Sequence, residues 1–139
     1  MKRCLVVLVL LLGVLKGSDL SAHHSVSAKF DTAKLVSLSG VITKVGLTNP
    51  HVTLQLDVKD SEGKVTTWNL ELAPPGALKR TVDPKVFQIG LQVTVESWLA
   101  KNGAKEASAR TVITPDGQRL SVGDTWFVIE TSMPKPIGQ

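Results

Sequence analysis

From residue 52 to residue 58 apolar and polar side chains alternate, with Val52, Leu54, Leu56 and Val58 on one side and Thr53, Gln55 and Asp57 on the other. A period of two predicts a strand with one buried face. The alternation returns after Ser61-Glu62-Gly63, with Trp68, Leu70 and Leu72 on the apolar side and Thr67, Asn69 and Glu71 on the polar side. Gly63 can take the left-handed conformation of a three-residue hairpin loop, so the two strands are predicted to pair antiparallel. Placing Asp60 opposite Lys64 sets Leu56 against Trp68, Leu54 against Leu70, Thr53 against Glu71 and Gln55 against Asn69. Both faces agree in that register, and a slip of one residue would spoil both.

Around this hairpin the pattern is less regular. Residues 35–47 are β-branched and apolar but contain Gly40 and Gly46, and their inward parity shifts between Leu38/Ile42 and Val45, which predicts a long, bent strand ending at Asn49-Pro50. Residues 73–90 break the strand pattern: Pro74-Pro75 can open a helix, Ala77-Leu78-Lys79-Arg80 favours one, and Pro84 is expected to end it. Strand character resumes over residues 91–99, with Leu91, Val93, Val95 and Leu99 inward, and Asn102-Gly103 turns the chain. A fifth strand is predicted over 106–114, closed by Pro115-Asp116-Gly117, and a sixth over 125–131, followed by a loose tail. Three strands, a helix and two strands, with a long bent first strand, is the order of the oligonucleotide/oligosaccharide-binding (OB) barrel. The expected fold is therefore mainly all-β, a five- to six-stranded OB-like β-barrel with one short helix between strands 3 and 4. A β-sandwich or a jelly-roll fragment would also use short strands.

The first residues follow another logic. Lys2 and Arg3 precede an apolar run over residues 5–15, which gives way to Lys16, Gly17, Ser18 and a small residue at Ala22. This is the layout of a secretory signal peptide, and the run is about half of the ~20 residues a spanning helix needs. Residues 1–22 are thus expected to be removed, leaving no stable membrane anchor and an exported, periplasmic protein. The expected organisation is a barrel domain over 23–121 and a C-terminal extension over 122–139. Of the 139 residues, cleavage leaves 117, with 13 basic and 11 acidic side chains against 16 and 12 in the whole chain. A charge so balanced argues against nucleic acid or an anionic membrane surface as partner. The single cysteine, Cys4, leaves with the leader, so no disulfide is available and the fold must rest on core burial.

The start Ala22-His23-His24-Ser25 with Phe30-Asp31, then Leu38, Gly40, Ile42 and Val45, Asn49-Pro50-His51, Asp60 with Gly63-Lys64, and Trp68 resemble an uncharacterised family of small exported bacterial proteins, a domain of unknown function. The resemblance runs from about residue 22 to residue 120. It departs at Leu47, where an aromatic would be expected, and at 122–139, which is longer than usual. It implies a periplasmic, barrel-like protein and supplies no activity.

Candidate chemistry centres on the three histidines, His23, His24 and His51. After cleavage at Ala22, His23 would carry a free α-amine beside its imidazole, and both are available as neutral donors near or above neutral pH. A third nitrogen from His51 or His24 would complete an all-nitrogen set that favours Cu(II). His51 precedes the first inward residue and so should point outward, with Glu71 diagonally across to orient its second ring nitrogen. The bland reading makes Asn49-Pro50-His51 a turn and the double histidine a disordered terminus. A non-metal alternative uses the outer barrel face, where Thr53, Gln55, Asn69 and Glu71, with Trp98 as an outward aromatic, would meet a glycan, a peptide or a partner protein. That face shows no cation and no aromatic among Thr53, Gln55, Asp57, Thr67, Asn69 and Glu71, so nucleic acid is not expected. No nucleophile elbow, zinc helix or phosphate loop is found, and an enzyme is not expected.

Overall fold

The computed structural model describes residues 26–124. A single helical turn, α1 (Val26–Lys29), leads into β1 (Phe30–Leu47), followed by β2 (Val52–Lys59) and β3 (Val65–Glu71). A short helix, α2 (Pro75–Leu78), and a 3-10 helix (Pro84–Val86) then connect to β4 (Gln92–Ala100), β5 (Glu106–Ile113) and β6 (Arg119–Ser121). The protein is mainly β. Its strands form one sheet in the order β3-β2-β1-β4-β5-β6, each antiparallel to its neighbours in that order, and β3 pairs additionally with β5 in parallel.

The β2–β3 hairpin adopts the expected register, Thr53 opposite Glu71, Leu54 opposite Leu70, Gln55 opposite Asn69 and Leu56 opposite Trp68. Its loop is held as expected: Asp60 N–H donates to Lys64 O at 3.0 Å, and Gly63 has a φ of 87°. Asp60 adds a clamp, its Oδ1 accepting from Glu62 N at 3.0 Å and from Lys64 N at 2.9 Å.

The bent first strand is also found, starting five residues earlier than expected and running for 18 residues. Its pairing with β2 jumps from Ile42–Leu56 to Lys44–Gln55, leaving Thr43 as the bulged residue. That bulge is the physical cause of the parity shift seen between Ile42 and Val45. At Gly40 the strand is paired on both sides, with Val58 and with Val93. There the Asp57 carbonyl comes so close that a Cβ would lie 2.3 Å from its oxygen.

Ile42, Val52, Leu54, Leu56, Leu70, Val95 and Val112 are fully buried and form the centre of the core. The segment between β3 and β4 covers it with Leu78, Val82 and Phe87. The helix there is shorter than the sequence suggests: it stops at Leu78, and Pro84 opens the 3-10 helix instead of ending α2, with Asp83 Oδ1 accepting from Lys85 N at 3.0 Å. Pro84 fits the first turn of a helix because it has no N–H to satisfy there.

The turn at 115–117 leads straight back into β6, a strand the alternation did not reveal because it is three residues long. The sixth strand expected over 125–131 lies outside the described residues. The boundary expected after residue 121 is crossed by the core itself: Val122 is fully buried, and its carbonyl accepts from Ala73 N at 2.8 Å. No helix among the described residues is long and apolar enough to cross a membrane.

Candidate ligand face and the His51 ring

Two rows of paired residues cross the sheet. In one, the pairings bring Lys44, Gln55, Asn69 and Glu106 side by side on β1, β2, β3 and β5. In the next, Gly46, Thr53, Glu71 and Ser108 follow the same strands, and Ser108 pairs onward with Trp98 and Trp98 with Leu35. An open depression of about 230 Å³ is lined by Lys44, Thr53, Gln55, Asn69, Glu71 and Glu106. Gly46 keeps the β1 side low: the Thr53 hydroxyl leans to within 2.5 Å of where a Cβ would stand.

Thr53, Gln55, Asn69 and Glu71, expected on one face, are thus brought together. Gln55 Nε2 donates to Asn69 Oδ1 at 3.2 Å, so each amide keeps one end available. Lys44 corrects the expectation of a face without a cation. The bulge at Thr43 turns its side chain onto this face, and it joins no ion pair among the described residues. Trp98 lies outside the depression. It is half-buried and the Arg110 guanidinium covers its ring at 4.5 Å, so it is not an open stacking platform.

Lys29 bridges two carboxylates of the lining, Glu71 and Glu106. Its Nζ lies 2.6 Å from Glu71 Oε1 and 2.8 Å from Glu106 Oε2. Burial works against its charge, but the hydrogen bonds to Glu106 and Glu71 outweigh it and raise the ammonium above its ordinary value of 10.5. No local pattern marks Lys29 as part of the site, because Glu71 is 42 positions further on.

His51 stands at the end of the β2–β3 ladder, where Leu72 N donates to Val52 O at 2.8 Å and Val52 N donates to Ala73 O at 3.2 Å. Its Nδ1 lies 3.0 Å from Leu72 O. A carbonyl oxygen only accepts, so Nδ1 is the donor in this contact, and in the neutral ring the lone pair is then on Nε2. This corrects the expected partner: the ring is oriented by the Leu72 carbonyl, while the Glu71 carboxylate is held by Lys29. The physical reason is register, since Glu71 faces Thr53 and the backbone beyond it faces His51. His23 and His24 lie outside the described residues, and among the described residues no group of three or more His, Cys, Asp or Glu could hold a metal ion.

No curated protein and no solved structure matches the chain. Residues 13–109 match the model of a family described as a family of unknown function (DUF6152), which covers more than half of the sequence and agrees with the resemblance to an uncharacterised family. The chain belongs to this family of unknown function.

Proposed function

We propose that the chain is an exported binding module built on an OB-like barrel, and that its mature N-terminus, beginning at His23, joins His51 in holding Cu(II). The leader supports export. The barrel reading is supported by the circuit of pairings, from β1 through β2, β3, β5 and β4 back to β1, with β6 appended to β5, and by the short helix between β3 and β4.

The observation that carries the copper reading is the His51 ring. Metal-bound histidines typically donate their other ring N–H to a carbonyl or carboxylate, which fixes the tautomer and aims the ligating nitrogen. The Nδ1 contact to Leu72 O supplies that arrangement and leaves Nε2 for an ion. Chain reach agrees. Lys29 is tied to Glu71, which faces Thr53, two residues from His51. From His23 to Val26 an extended chain covers about 10 Å, and the helical turn α1 up to Lys29 adds about 5 Å. The terminal amine, the His23 ring and His51 Nε2, with His24 as the alternative ring, make a nitrogen set suited to Cu(II). Titration of Cu(II) into protein with a free His23 is expected to show far tighter binding than into protein with one extra residue before it. Equal affinities would remove the reading.

A second reading is favoured by the depression itself. Four side chains singled out for a polar ligand, Thr53, Gln55, Asn69 and Glu71, line one concave surface, which suits a glycan, a peptide or a partner protein without any metal. With no aromatic in that lining, nucleic acid is not among the proposed partners.

A further inference from the structure

We infer that the depression is a site for a short peptide with free termini, whose carboxylate meets Lys44 and whose ammonium meets the Glu71–Glu106 end. The inference deepens the second reading and is independent of copper. Charge is laid out along the row as a dipole. Lys44 at one end joins no ion pair among the described residues, while at the other a single ammonium, Lys29, is shared between two carboxylates and leaves that end with an excess negative charge. The Lys29 ammonium lies against Glu71 Oε1 and Glu106 Oε2, and each carboxylate has further lone pairs that can accept from a ligand.

The middle of the row matches a peptide group. Gln55 and Asn69 bond to each other through one donor and one acceptor, which leaves an amide oxygen on Gln55 and an amide nitrogen on Asn69 for a ligand's N–H and C=O. A neutral sugar would use these amides but leave both charged ends unanswered, and the lining offers no aromatic ring for a pyranose face.

The length also fits. Lys44 and Glu106 stand on the first and last of four successive strands, at most about 14 Å apart along the sheet at ~4.8 Å per strand. Side chains leaning in from both ends shorten that span, and an extended tripeptide covers about 10 Å.

The test is an NMR titration of ¹⁵N-labelled protein, stripped of metal and kept in EDTA, with triglycine, with N-acetyl-triglycine amide and with maltotriose. Triglycine is expected to give saturable shifts of the Gln55 and Asn69 side-chain amides. The capped peptide should bind about tenfold more weakly, and Lys44→Met should weaken triglycine about fivefold, in keeping with exposed ion pairs. Lys44 is exposed, and the spectrum of the variant itself reports that the fold is intact. His51→Ala is expected to bind triglycine as the wild type does, so a failure of the copper reading leaves this one standing. Capped peptide or maltotriose binding as tightly as triglycine, or no saturable shift with triglycine, would overturn the inference.

Discussion

Replacing Gly40 by alanine tests how the six-stranded sheet is held together. The new Cβ would stand 2.3 Å from Asp57 O, 2.9 Å from Asp57 C and 3.1 Å from Leu56 Cγ. Ordinary van der Waals contact begins near 3.4 Å, so β1 and β2 must part by about 1 Å. The strand cannot retreat, because Val93 of β4 pairs with Gly40 from the other side. Overpacking of this kind costs about 1–3 kcal/mol, and stretching one or two ladder hydrogen bonds adds about 1 kcal/mol each. The usual gain from removing a strand glycine, at most about 1 kcal/mol, is smaller. The net loss is then about 1–4 kcal/mol, a large share of the ~5–15 kcal/mol that stabilises a domain, and should lower Tm by roughly 4–30 °C at about 4–8 °C per kcal/mol. Urea unfolding and calorimetry measure both quantities. Gly76→Ala is the control, since nothing lies within 4 Å of its Cβ and it falls in α2; it should be neutral or stabilising by about 0.5–1 kcal/mol. A Gly40→Ala protein as stable as the wild type would refute the close-approach argument.

Three further substitutions have defined outcomes. Asp60→Ala removes the acceptor for Glu62 N and Lys64 N and should lower stability by about 1–2 kcal/mol in urea unfolding. Ser97 is fully buried and its hydroxyl has no partner among the described residues, so Ser97→Ala should be neutral or stabilising by up to about 1 kcal/mol, measured the same way. The Arg119 hydrogen bond holds the Glu96 carboxyl below its ordinary value of 4.5. A depressed carboxyl contributes stability that is present above 4.5 and is lost as pH falls through the lowered value. Glu96→Gln should therefore be less stable than wild type at neutral pH by a fraction of a kcal/mol, as for an exposed pair, and the difference should vanish in strong acid. A difference that persists unchanged at low pH would exclude the ion pair as its source.

The parts of the fold that could be read from the sequence are those governed by local periodicity. The hairpin register followed from two matched alternations and one glycine turn, and the bulge at Thr43 was visible as a switch of parity. Contacts between distant segments left no such trace. Glu106 reaches the face only because β5 runs parallel beside β3, and Lys29 only because α1 is carried across to Glu71. Lys44 is an intermediate case: its outward turn is a consequence of the same parity switch, one residue past the bulge. The outward parity of Trp98 was legible, but Arg110, arriving from β5 to cover the ring, was not. His51 precedes the β2–β3 ladder, and its ring contacts a main-chain carbonyl, a partner that no side-chain pattern announces.

The most direct measurement on the proposed copper centre is electron paramagnetic resonance of protein that begins at His23 and has been mixed with Cu(II), comparing wild type with His51→Ala. Nitrogen superhyperfine splitting should report ring and amine nitrogens in the wild type, and the variant should lose one ring nitrogen while the N-terminal donors remain. An unchanged spectrum in His51→Ala would contradict the proposed centre.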